Sequence, residues 1–101
     1  TVLMHLLGYR EAIQESRRVT KQWCIFHTLP VVYKRSTTML RKFAYNTPVV
    51  EIVFNEEEFL KLIKNEGFIV RQVLESVSHD YLSHTLGEPV SARTYLCEIA
   101  Q

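Results

Sequence analysis

The chain has 101 residues, 47% of them hydrophobic and 23% charged, with a formal net charge of +1. That length and balance describe one small folded domain or part of one, and they exclude a disordered tail, a collagen-like repeat and a pair of domains. So small a net charge gives no global field for nucleic acid or a membrane surface, and no apolar run approaches the ~18 residues of a membrane span.

The chain opens TVLMHLLGYREAI, an apolar run interrupted by His5 and closed by Gly8. It reads as a strand end entering a loop, so that the sequence starts in mid-domain. No signal peptide is visible. In GYREAIQESRRVTKQ the positions Tyr9, Ala12, Ile13, Ser16 and Val19 follow the three-and-four spacing of one buried helical face. Arg17, Arg18 and Lys21 suit the negative end of that helix's dipole. Trp23 to Phe26 is a short, continuously apolar run, the habit of a strand covered on both faces in a parallel sheet, and Pro30 is expected to end it. Cys24 and Cys97 each stand alone in apolar stretches, which predicts free thiols in a reducing, cytoplasmic setting; a disulfide requires their two strands to be neighbours.

Residues 33–47 lack a clean period and read as a long connection with one helical turn around Met39 to Phe43. No acidic residue lies between Glu15 and Glu51, while Arg17, Arg18, Lys21, Lys34, Arg35, Arg41 and Lys42 all do. Such runs are usually solvated faces; the sharper reading is a basic loop facing an anionic substrate. The mixed aromatic and basic residues of the loop fall far short of a nucleic-acid-binding domain.

Val49 to Val53 suits a short extended segment, and the next stretch has the clearest local grammar. Asn55 is placed as an N-cap with Glu58 completing a capping box, and Phe54 with Phe59 form a hydrophobic staple. Glu56, Glu57 and Glu58 fit the positive end of the helix rather than a metal. Phe59, Leu60, Leu62 and Ile63 form the buried stripe, and Gly67 supplies the left-handed stop. Phe68 to Val77 reads as a strand, and residues 78–92 as a polar connection. His79, Asp80 and His84 in that connection lack a fourth ligand and a helical stripe, so no metal site is read there. Residues 93–100, RTYLCEIA, read as a last strand returning antiparallel. The expected fold class is α/β, a partial Rossmann-like three-layer sandwich with a mostly parallel sheet and an antiparallel last strand.

Three stretches carry a family resemblance. VLMHLLGYREAIQESRRVTKQWCIF, FNEEEFLKLIKNEGFIV and ARTYLCEIA resemble, in order, the region after the fourth strand, the penultimate helix with its Gly-Phe exit, and the reversed seventh strand of class I S-adenosylmethionine-dependent methyltransferases. The resemblance implies that residues 1–101 are the C-terminal portion of one such domain, lacking the N-terminal cofactor-binding half. S-adenosylmethionine is then a cofactor of the intact domain only, and its contact residues are unknown. Gly8, Gly67 and Gly87 are isolated, and Lys21 and Gln22 stand where the family often has a glycine pair. By the same resemblance His5 lies near the substrate cleft as a contact or base; His27, which with Thr28 is expected to end the next strand at the same sheet edge, is the second catalytic candidate. Thr28, Tyr33, Arg35 and Arg41 are the candidate substrate contacts, because ligands gather at strand carboxyl ends in open α/β sheets. The resulting expectation is a methyltransferase fragment, inactive alone, whose acceptor is a small molecule. The alternative is a non-catalytic α/β interaction module, a homo-oligomer that self-associates through an exposed sheet edge.

Overall fold

The computed structural model of the protein describes residues 8–44, 47–78 and 80–100. In chain order the elements are α1 (Tyr9–Val19), β1 (Trp23–Val32), β2 (Thr38–Ala44), β3 (Thr47–Asn55), α2 (Glu56–Asn65), β4 (Phe68–Ser78), α3 (Asp80–Leu86) and β5 (Ser91–Ile99). The strands form one sheet in the order β2-β3-β1-β5-β4. The expected opening strand, with His5, lies outside the described residues, as does His79.

Local chemistry accounts for the helices. Ile13 is fully buried, with Tyr9 and Ala12 packed beside it, while Glu11 and the Arg17–Arg18 pair occupy the ends that suit their charge. Val19, read as part of the buried face, is 60% exposed because the helix ends there. For α2, the Asn55 side chain accepts the Glu58 N–H at 3.0 Å, and Phe54 and Phe59 meet at 5.4 Å. Gly67 stops it at φ +94°, a left-handed conformation that suits glycine, and Arg17 of α1 packs directly over it.

Two clusters fill the two sides of the sheet. Phe26, Leu29, Val31, Ile52, Phe54, Tyr95 and Cys97 face α1 and α2, where they meet Ile13, Phe59 and Ile63. The alternate residues Val32 and Val53 face the other way and pack with Leu82 of α3 and Val90. Because α3 has only seven residues, it covers one end of that side. Trp23 and Ile25 of β1 and Leu74 of β4 remain 49%, 59% and 55% exposed.

The expected mostly parallel, Rossmann-like sheet is overturned. Among the described residues only β1 and β3 pair in parallel, through Val31–Phe54 and Val32–Asn55, and the other three pairings are antiparallel. There are two physical reasons. Residues 38–44 form an edge strand rather than a helical turn, so the long connection is a β2–β3 hairpin. In addition, β5 inserts between β1 and β4, so that these two strands of like direction do not pair with each other.

Three further expectations need correction. β1 does not end at Pro30 but runs to Val32; the missing amide hydrogen is tolerated because pairing with β3 starts only at Val31. Trp23 to Phe26 is covered on one face, not both. Residues 80–86 form a helix rather than a loop. Cys24 and Cys97 are register partners on neighbouring strands and both are free thiols.

Candidate functional site

β1, β3 and β4 run in one direction, so their carboxyl ends meet at one edge of the sheet, together with the start of α2 and the start of β5. Open α/β sheets bind ligands at such edges. Thr37 ties the loop after β1 to that edge. Its N–H donates to Glu58 Oε1 at 2.8 Å, and its hydroxyl accepts the Asn55 N–H at 3.0 Å. The capping box is thus completed through a loop residue rather than by the Glu58 side chain reaching Asn55. The Asn55 amide also donates to the Arg35 carbonyl at 2.8 Å. From the far side Glu88 accepts the N–H groups of Lys34 and Arg35, each at 3.3 Å, with the Arg35 guanidinium 3.8 Å away.

Arg93, Tyr95, Glu56, Glu75 and Tyr33 form the polar centre of the edge. Arg93 and Tyr95 are two apart on β5 and point to the helix side, where both donate to Glu56 Oε2 at 2.7 Å. Arg93 Nε also donates to Glu75 at 3.1 Å, and its guanidinium carbon lies 5.3 Å from the Tyr33 ring centre. A buried tyrosine hydroxyl needs a partner, so Glu56 holds both β5 side chains as a unit. Burial, and then the bond to Glu56, raise the Tyr95 hydroxyl far above the usual phenol range. Partial burial works against the Arg93 charge but is outweighed by Glu75 and Glu56, which hold its guanidinium above its ordinary value. Glu58 is held below the usual carboxylate range, first by the Thr37 backbone N–H, with Arg10 and Lys61 adding to it.

Two clefts open at this edge. One, of about 360 Å³, lies against Tyr33, Glu56, Glu57, Leu60, Lys61 and Lys64. The other, of about 470 Å³, lies between α1, the 36–37 loop and α2, over Phe54 and Phe59.

The sequence-derived candidates divide into three groups. Tyr33 and Arg35 meet at the carboxyl edge. His27 and Thr28 sit within β1, six and five residues before Tyr33, which at the rise of a strand is roughly 16–20 Å from that edge. They share a bulge in the β1–β5 ladder. There the Thr28 N–H donates to Thr94 Oγ1 at 3.0 Å, and the Thr28 hydroxyl lies 2.9 Å from His27 Nδ1. Arg41 is exposed on β2, paired in register with Val50 and away from both groups. His5 lies outside the described residues.

Glu56, Glu88, Arg93 and Tyr95 escape the sequence reading. The signal for two of them is the i, i+2 spacing of Arg93 and Tyr95, which puts them on one strand face; Glu88, remote in sequence from its partners, gives none. Among the described residues no three His, Cys, Asp or Glu side chains are grouped to hold a metal, and no helix is long and apolar enough to cross a membrane.

No family model, curated protein or solved structure matches the chain.

Proposed function

We propose that the chain is the closing portion of an S-adenosylmethionine-dependent methyltransferase domain, contributing to the acceptor side rather than to the cofactor site. The position of β5 carries the reading. It lies reversed between β1 and β4, which share one direction, and the resemblance asks this of a last strand. The uncovered side of the sheet agrees. Trp23 and Ile25 on the middle strand β1 and Leu74 on the edge strand β4 leave large apolar side chains exposed on that side.

The residues present do not fit the cofactor. A glycine-rich turn that lets backbone approach a nucleotide is lacking among the described residues: Gly8 caps α1, Gly67 stops α2 and Gly87 follows α3 at φ +72°. No catalytic step is therefore derived for this chain. The test is to express the complete reading frame containing these residues and titrate it with S-adenosylmethionine by calorimetry, beside the 101-residue chain. The expected result is micromolar binding by the longer protein and none by the chain alone. Failure of the longer protein to bind, or binding by the chain alone, overturns the reading.

The open edge of β4, where Ile69, Val73 and Leu74 are exposed, favours a second reading: a module that self-associates through that edge. Sedimentation of the chain across a hundredfold concentration range tests it, and a strictly monomeric species at every concentration sinks it.

A further inference from the structure

Cys24 and Cys97 meet the condition that a disulfide sets on their strands. They stand opposite one another in the antiparallel β1–β5 ladder, within a run of pairs that continues unbroken from Trp23–Glu98 to Phe26–Tyr95. Residues directly opposite project to the same face of a sheet. Both thiols accordingly lie in the core cluster on the side of α1 and α2, Cys97 fully buried and Cys24 half-buried.

The ladder fixes their separation. The Ile99 N–H donates to the Gln22 carbonyl at 2.9 Å, so residues 22 and 99 form a hydrogen-bonded pair. Such pairs recur every second residue, which makes Cys24 and Cys97 the next one, with Cα atoms about 5.5 Å apart. That is inside the span of roughly 4.4–6.8 Å over which a disulfide closes. Side chains at such a position stand farther apart than at the intervening ones, so closing the bond draws the strands together and leaves it strained. A strained disulfide is easily reduced, which suits a reversible link rather than a permanent staple.

Access is one-sided. Cys24 follows directly on the exposed residues Lys21, Gln22 and Trp23, which give a small reagent a route to it. Cys97 is sealed, and its thiol makes only a weak contact of 3.9 Å with the Tyr95 carbonyl, so its open partner is Cys24.

We propose that Cys24 and Cys97 are a reversible oxidation site, closing a cross-strand disulfide when the protein meets a low-molecular-weight disulfide. The Cys24 thiolate attacks one sulfur of the reagent, forming a mixed disulfide and expelling one thiolate. The Cys97 thiolate then attacks the Cys24 sulfur and expels the second. The protons of the two cysteines end on the two released thiolates, and the reagent gains the two electrons that the cysteines lose. The site depends only on the β1–β5 register and holds under either reading of the function. Burial raises both thiols above their ordinary range, so the reaction should quicken roughly tenfold per pH unit around neutrality as thiolate forms.

The test uses the protein expressed from its complete reading frame, with 2-hydroxyethyl disulfide as oxidant and tryptic mapping without reductant. The expected product joins the peptide of residues 22–34 to the one that starts at Thr94. It should form while circular dichroism stays native, and reopen in millimolar reduced glutathione. Cys97→Ala is expected to stop at a mixed disulfide on Cys24, and Cys24→Ala to leave Cys97 unmodified. Where a variant fails to fold, the mapping of the unaltered protein decides alone. Mixed disulfides that never close, links between two copies, or a pair that reacts only in denaturing urea overturn the proposal. A link that withstands reduced glutathione overturns its reversibility.

Discussion

Thr28 is a β-branched residue at φ +55°, a conformation in which its side chain crowds its own backbone. Such outliers cost on the order of 1–3 kcal/mol and persist only where neighbours hold them. Here the bond from its N–H to Thr94 and the contact of its hydroxyl with His27 do so. Glycine adopts the same backbone without the crowding, although it also loosens the unfolded chain by roughly 0.5–1 kcal/mol. The balance favours the substitution. Thr28→Gly should stabilise the protein by about 1 kcal/mol in urea unfolding, because the Thr94 bond uses the backbone and survives. A loss of stability would mean that the hydroxyl contact outweighs the strain.

At the scale of elements, legibility follows how much of an element's own sequence decides its form. Helix α2 is fully readable because its cap, staple, charged first turn and glycine stop are all local, lying between Phe54 and Gly67. Helix α3 is not, since a seven-residue helix with Leu82 as its one buried side chain shows no stripe. Strand β2 hides for a different reason. It is an edge strand whose Leu40 turns inward while Met39 and Arg41 face solvent, and basic edge residues that discourage further pairing also break the apolar signal. The bounds of β1 depend on where β3 begins to pair, information that lies more than twenty residues away. The candidate site is split likewise. Asn55, Tyr33 and Arg35 are readable from cap and loop grammar, whereas the Glu56–Arg93–Tyr95 unit exists only because β5 inserts beside β1. The thiols follow the same rule: burial, and then its neighbour Cys24, push Cys97 up to about 12, and only the strand register makes them neighbours.

For the whole molecule the unbalanced sheet is the dominant fact. Among the described residues one side is sealed by two helices, while the other carries only α3 at one end. Ile25 and Leu74, at 59% and 55% exposure, gain little from folding in this chain, and threonine suits a strand as well as either. The double substitution Ile25→Thr with Leu74→Thr should therefore change the unfolding free energy of the chain alone by no more than about 1 kcal/mol. In the protein from the complete reading frame the methyltransferase reading has this side covered. Each side chain then contributes roughly 1.5–3 kcal/mol of burial, and the same pair of changes should cost about 3 kcal/mol or more. Urea unfolding of both forms separates the cases by their pattern. A small effect in both forms means that the side stays open in the longer protein and takes that support from the transferase reading. A large effect already present in the chain alone, and growing with concentration, means that a second copy covers it, because burial between copies obeys mass action and burial within a chain does not.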